Sequence, residues 1–115
     1  MADPIYKICA RALWGEAEKA GVFEGAPVDI ADGFIHFSTA SQAVETAARH
    51  FAGQDDLLLI AVDPVPLGDA LKFEPSRGGD LFPHLYGPLD LDTVLWARPL
   101  PLGSGGIHQF PDLAG

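Results

Sequence analysis

Cysteine is nearly absent, since Cys9 is the single one in the chain. One thiol can neither close an intrachain disulfide nor build a multi-thiolate metal site, so a bridge-stapled secreted scaffold is excluded. Ile8 and Ala10 flank it, and this apolar setting reads Cys9 as a buried structural thiol. Basic residues are scarce too: seven Lys and Arg face sixteen Asp and Glu, for a formal net charge of -9. That field repels polyanions, which argues against long nucleic acid and anionic membranes; a small anionic ligand still fits wherever a few cations converge. No apolar run approaches the ~20 residues of a membrane span, and no basic-then-apolar leader opens the chain, so a cytoplasmic protein is expected. The glycine signatures of phosphate-binding loops and dinucleotide folds are missing, as is a nucleophile elbow. His36, His50, His84 and His108 share no close ligand spacing, so no metal is expected.

What is present is enough apolar material for one packed domain: 48% hydrophobic and 10% aromatic residues in 115. A chain of that length supports one core, expected over residues 4 to 98, with a Pro/Gly-rich tail from 99 to 115 lying extended over the body. A monomer is expected. Ile5 to Cys9 reads as a first strand, with Lys7 on the same side as Ile5 and Cys9. Arg11 to Ala20 reads as a helix stopped by Gly21. Val22 to Pro27 reads as a loop, and Asp29, Asp32 and Gly33 as turn residues. In the strand that follows, Phe34, His36 and Ser38 share one face and Ile35 and Phe37 the other. Thr39 with Gln42 matches a capping box, which starts a second helix at Ala40 that Gly53 closes.

Leu57 to Val62 is a continuous apolar run bounded by acidic residues, the pattern of a central strand buried on both faces. Leu71 to Glu74 alternates as a shorter strand. Pro83 and Pro88 argue for irregular backbone from Leu81 to Leu89, and Thr93 to Arg98 reads as the last strand.

Several residues could carry chemistry. His36 reads either as a satisfied, half-buried histidine or as a group that meets a ribose hydroxyl and moves a proton. Ser38 and Thr39 are cap hydroxyls or ligand contacts. Arg77, between Ser76 and Gly78, suits a phosphate or carboxylate. Glu74 is its ion-pair partner or a base. His84 and Tyr86, set among prolines, suit a platform on which a ring stacks. Candidate catalytic residues are thus His36, Ser38 and Glu74, and candidate cofactor-binding residues are Lys7, His36, Arg77, His84 and Tyr86.

Taken together, Ile5-Tyr6-Lys7-Ile8, Trp14, Asp32-Gly33-Phe34-Ile35-His36-Phe37-Ser38-Thr39 with Gln42, Val62-Asp63, Phe73-Glu74 and Phe82-Pro83-His84-Leu85-Tyr86-Gly87-Pro88-Leu89 resemble the bacterial domain-of-unknown-function family numbered 952. That family is grouped with the ADP-ribosyltransferase-like fold, and its nearest motif echo is the RNA 2′-phosphotransferase branch, whose His-hydrophobic-Ser strand resembles His36-Phe37-Ser38. The resemblance implies an α+β fold with a split, half-barrel-like β-sheet and two main helices. It also implies that His36 and Ser38 face a nucleotide-like ligand, with NAD or ADP-ribose as the cofactor and ADP-ribose transfer as the activity. The chain departs from that group at Lys7, where the first strand commonly carries a histidine. The competing expectations are a module that kept the fold without chemistry, binding a metabolite or a protein through Phe82 to Leu89, and a small hydrolase or phosphotransferase using His36 and His84 as acid and base.

Overall fold

The chain alternates short strands with short helices, and the computed structural model describes residues 3–113. In order these are β1 (Ile5–Ala10), α1 (Arg11–Ala20), β2 (Val22–Phe23), α2 (Pro27–Asp32), β3 (Ile35–His36), α3 (Ala40–His50), β4 (Leu57–Val62), β5 (Leu71–Pro75), β6 (Leu81–Leu85), β7 (Leu89–Asp90) and β8 (Val94–Leu100). The class is α+β with antiparallel sheets throughout. None of the described helices is long and apolar enough to cross a membrane.

Two three-stranded sheets carry the fold, ordered β1-β4-β8 and β3-β6-β5, with a small β2-β7 pair beside them. Within the described residues the two larger sheets meet at the bridge between Tyr6 and Ser38, where Tyr6 N–H donates to Ser38 O (2.7 Å) and Ser38 N–H returns a bond to Tyr6 O (2.8 Å). The apolar run of β4 is the centre of its sheet, as its composition requires: all six residues are buried. Leu58, Ile60 and Val62 join a core with Trp14, Phe23, Ile35, Phe37 and Leu85, while Leu57, Leu59 and Ala61 pack with Tyr6, Ala43 and Ala47. One strand therefore serves two cores because successive side chains alternate faces.

Helix ends follow local chemistry. Gly21 takes the left-handed conformation (φ 78°) and its N–H donates to Ala17 O, which stops α1. At the start of α3, Gln42 Oε1 accepts the Thr39 N–H (3.0 Å) while Gln42 Nε2 donates to Leu81 O (2.8 Å), so the cap also fastens the helix to β6.

Two expectations are corrected. Val22 to Gly33 is not all loop and turn: Glu24 to Ala26 and Gly33 are, but β2 pairs with β7 and Pro27 opens a six-residue helix. Proline at the first helical position needs no N–H partner there, Asp29 Oδ2 accepts the Ala26 N–H (2.7 Å), and Gly33 (φ 87°) closes the turn. Nor is the backbone irregular from Leu81 to Leu85, for β6 is the middle strand of its sheet despite Pro83; only Tyr86 to Pro88 is irregular as expected. The Pro83 carbonyl accepts the Phe37 N–H (3.0 Å), so the edge lacking a donor faces the side on which two-residue β3 has already ended. Its pairing with β5 is intact. Past β8 the chain lies over the body: Leu102 pairs with His108, Phe110 and Leu113 pack on the second core, and His108 Nε2 lies 2.7 Å from Gln54 O.

Truncating the doubly covered strand tests this arrangement. Leu59→Ala is expected to lower stability by about 2–5 kcal/mol, read as a lower urea midpoint with an unchanged denaturant slope.

Candidate functional site

The centre of the molecule is a carboxylate. Asp29, in the middle of α2, is 1% exposed and accepts from Lys7 Nζ at 2.8 and 3.0 Å, from the Ala26 N–H at 2.7 Å, from the His36 N–H at 3.1 Å and from His36 Nδ1 at 2.6 Å. Burial by itself pushes this carboxyl up. The His36 hydrogen bond, the Lys7 charge and hydrogen bond and the Ala26 amide outweigh it and hold the group at about 2. Asp29 is therefore ionised at neutral pH, and an ionised carboxylate only accepts, so His36 Nδ1 is the donor. Burial pulls the Lys7 ammonium down, against the pull of Asp29. Gly25 allows the loop to close over Asp29: a Cβ at this position would fall 2.9 Å from the Asp29 Cβ, and its φ of 123° already favours glycine.

His36 is two-thirds buried, and its outer nitrogen Nε2 lies 3.0 Å from Asp32 Oδ2 at the end of α2. His84 stands directly opposite His36 across the β3–β6 pair, so both rings project from the same face. Phe34 and Tyr86, two residues away along their chains, join them. Phe34 stacks on His84 (centroids 4.1 Å) and contacts Tyr86 (5.3 Å) and His36 (4.6 Å), and the two imidazoles meet edge to face at 5.7 Å. Glu74 lies diagonally across from His84 in the β5–β6 register. Its Oε1 accepts from Tyr86 OH (2.6 Å) and faces His84 Nδ1 (2.9 Å). Those two bonds, Tyr86's first, draw the Glu74 carboxyl below the usual range, and the same bond raises the Tyr86 hydroxyl.

A cavity of about 500 Å³ opens beside these groups, lined by Lys7, Asp32, His36, Ser38, Thr46, His50, Ser76 and His84 on its polar side and by Tyr6, Phe37, Phe51 and Phe82 among its apolar walls. Of the residues anticipated from sequence, Lys7, His36, Ser38 and His84 thus come together. Glu74 and Tyr86 sit outside the lining and reach it through His84. The side chain of Arg77 lies outside the described residues; its backbone forms the 3₁₀ turn next to Ser76. Ser38 Oγ is hydrogen-bonded to Thr46 Oγ1 (2.8 Å). A second cavity, about 580 Å³, is larger, but its lining of Asp3, Thr39, Ser41, Val65, Phe73 and neighbours pairs no titratable groups. Cys9 is buried, and burial raises its thiol to about 11, which leaves it protonated and unreactive at neutral pH. The described residues hold no group of three or more His, Cys, Asp and Glu placed for a metal ion.

Sequence reasoning missed Asp29, Asp32, Phe34 and Thr46. A signal for the first existed: Pro27, Asp29 and Gly33 sit at the first, third and closing positions of a helix, which puts Asp29 where it caps. Nothing local says that it also meets Lys7, 22 residues away.

The family profile described as "Protein of unknown function (DUF952)" matches residues 8–97. The X-ray structure of protein CC0527 from Caulobacter crescentus is 53% identical and superposes with a TM-score of 0.89, covering 92% of this chain and 93% of that one. The solution NMR structure of the same protein is likewise 53% identical, with a TM-score of 0.84 over 92% and 91% of the two chains. No curated protein matches significantly.

Two measurements check the buried pair. Asp29→Asn strands the Lys7 ammonium and is expected to cost about 3–5 kcal/mol, whereas adding Lys7→Met to it should restore part of the loss in urea denaturation. The folded Asp29 value lies below its ordinary 3.8, so its contribution is present above pH 4 and is lost as pH falls from there through about 2. The wild type should lose about 2 kcal/mol over that window, and Asp29→Asn should show a correspondingly shallower acid limb.

Proposed function

We propose, for a chain that belongs to the DUF952 family of proteins of unknown function, that this cavity binds a small nucleotide-like ligand such as NAD, ADP-ribose or a related ribonucleotide. What supports the reading is the convergence on one cavity of about 500 Å³ of two carboxylate-held imidazoles, the Ser38 and Thr46 hydroxyls and a wall of aromatic rings. A ribose needs donors and acceptors along one edge and a base needs an apolar wall, and the lining divides in that way. His36 meets a ribose hydroxyl, Ser38 the neighbouring polar group, and Arg77 a phosphate. Tyr86 serves the site through Glu74. Two three-stranded sheets joined at one bridge suit the split sheet of the ADP-ribosyltransferase-like fold, and ADP-ribose transfer is the activity that likeness implies.

A binding module without transferase chemistry is the second reading, and Lys7 favours it. At the place where that group commonly carries a histidine, this chain has a lysine wholly engaged by Asp29 and 5% exposed, which leaves it little to offer a ribose.

Thermal-shift measurements with NAD, ADP-ribose, AMP and adenosine test the binding. At ten times Kd a ligand adds about 1.4 kcal/mol, a rise of several degrees in Tm. His36→Ala is expected to abolish that rise while keeping the circular-dichroism spectrum, and a wild type that responds to none of the four overturns the proposal. Release of nicotinamide from NAD separates the transferase from the module.

A further inference from the structure

We infer that the cavity is an acid–base site in which His84 is the base and His36 the acid, and that it hydrolyses a small phosphodiester of the nucleoside 2′,3′-cyclic phosphate type. The inference rests on the nucleotide-binding reading above and names a substrate class for it.

His84 is 5% exposed and lines the cavity. Its Nδ1 faces Glu74 Oε1 at 2.9 Å, and a carboxylate has no proton to give, so the ring hydrogen sits on Nδ1 and the lone pair on Nε2. That Nε2 has no hydrogen-bond partner in the described residues, where every fully buried side-chain nitrogen and oxygen has one. It is therefore not sealed in the core and opens into the cavity. A nine-tenths-buried imidazole, oriented by a carboxylate and stacked on Phe34, with one basic nitrogen turned toward open space, has the form of a base awaiting a proton.

His36 stands in the opposite surroundings, with a carboxylate near each ring nitrogen. Asp29 Oδ1 accepts from Nδ1 at 2.6 Å, and Asp32 Oδ2 stands 3.0 Å from Nε2, a distance at which a proton on Nε2 would be drawn toward a carboxylate. Neighbouring titratable groups whose surroundings favour opposite proton states divide into acid and base. Asp29, Asp32 and, behind Asp29, Lys7 face His36; Glu74, Tyr86 and, across the strand pair, Lys72 surround His84; His50 lines the same cavity. Asp32 is 48% exposed, and its carboxylate covers the nitrogen that would deliver the proton. It occupies the place of a substrate oxyanion, which displaces it on binding.

An acid, a base and an oxyanion position between them describe phosphodiester hydrolysis. Water gives a proton to His84 Nε2 as its oxygen bonds to phosphorus; the bond from phosphorus to a ribose oxygen breaks, and that oxygen takes the proton of His36 Nε2. A nucleoside monophosphate leaves, and exchange of protons with solvent resets the pair. The cavity volume suits one nucleotide, and the charge of -9 disfavours a polymer.

The test incubates the full chain with each of the four nucleoside 2′,3′-cyclic monophosphates and follows products by ³¹P NMR, with circular dichroism and thermal shift on the same samples. Wild type should turn over with a bell-shaped pH dependence of kcat/KM. His84→Gln and His36→Gln should each lose about 100-fold or more in kcat. Glu74→Gln, which removes a positioning residue, should lower kcat and displace the base limb of the pH profile, whereas Asp32→Asn should lower KM. Nucleotide-induced stabilisation without hydrolysis overturns this inference and leaves the binding reading standing. Neither stabilisation nor hydrolysis overturns both. Hydrolysis that survives in folded His84→Gln, or in His84→Asn should the first variant not fold, overturns the assignment of the base.

Discussion

The Asp29 carboxylate is the interaction on which the remaining structure depends. Its two oxygens take bonds from a side chain of β1, a backbone amide before α2, and both the backbone and the ring of His36 in β3. These segments are short. A six-residue helix cannot sustain itself in water, and a two-residue strand contributes little pairing of its own. A charge buried among four donor groups makes their positions mutually conditional, because losing any one leaves the others around a poorly solvated ion. What would otherwise be a loose excursion between α1 and α3 thus becomes a fixed wall of the cavity.

The cavity is a consequence of how the sheets are joined. β4 satisfies both faces of the first sheet with apolar side chains, but β1 must also reach the second sheet, and within the described residues it does so through the pair Tyr6–Ser38. Around that one bridge the strands diverge, and polar residues next to it in sequence, Lys7 on one side and His36 on the other, line the opening. The capping residue Gln42 contributes from behind by tying α3 to Leu81, which fixes Thr46 against Ser38. Architecture and candidate chemistry therefore share residues.

The parts of this arrangement that were legible in the sequence are those decided within a few residues. β1, β4, α1 and α3 follow from unbroken apolar runs, helix formers and caps, all of them local. The α2 segment was obscured because Pro27 and Gly33, which frame a helix when six residues apart, also spell a turn. Pro83 misled for a related reason: a proline is excluded from a central strand only where a partner needs its N–H, and β3 ends too soon to need it. His36, Ser38 and His84 could be singled out from residue type and alternation, and they do meet at one cavity. Glu74 could be singled out too, though not its pairing with His84; Asp29, which orients His36, could not, since it meets Lys7 only through tertiary register.

Lys7 makes sense once charges are taken in sequence through space. From core to cavity they run ammonium, carboxylate, imidazole, carboxylate: Lys7, Asp29, His36, Asp32. Lys7 and Asp29 offset each other, and their burial is tolerable because this inner pair is fully hydrogen-bonded. Only the outermost member, Asp32, is held by solvent as much as by protein. Lys7 acts on the cavity from its wall: by holding Asp29 ionised, it keeps His36 Nδ1 a donor.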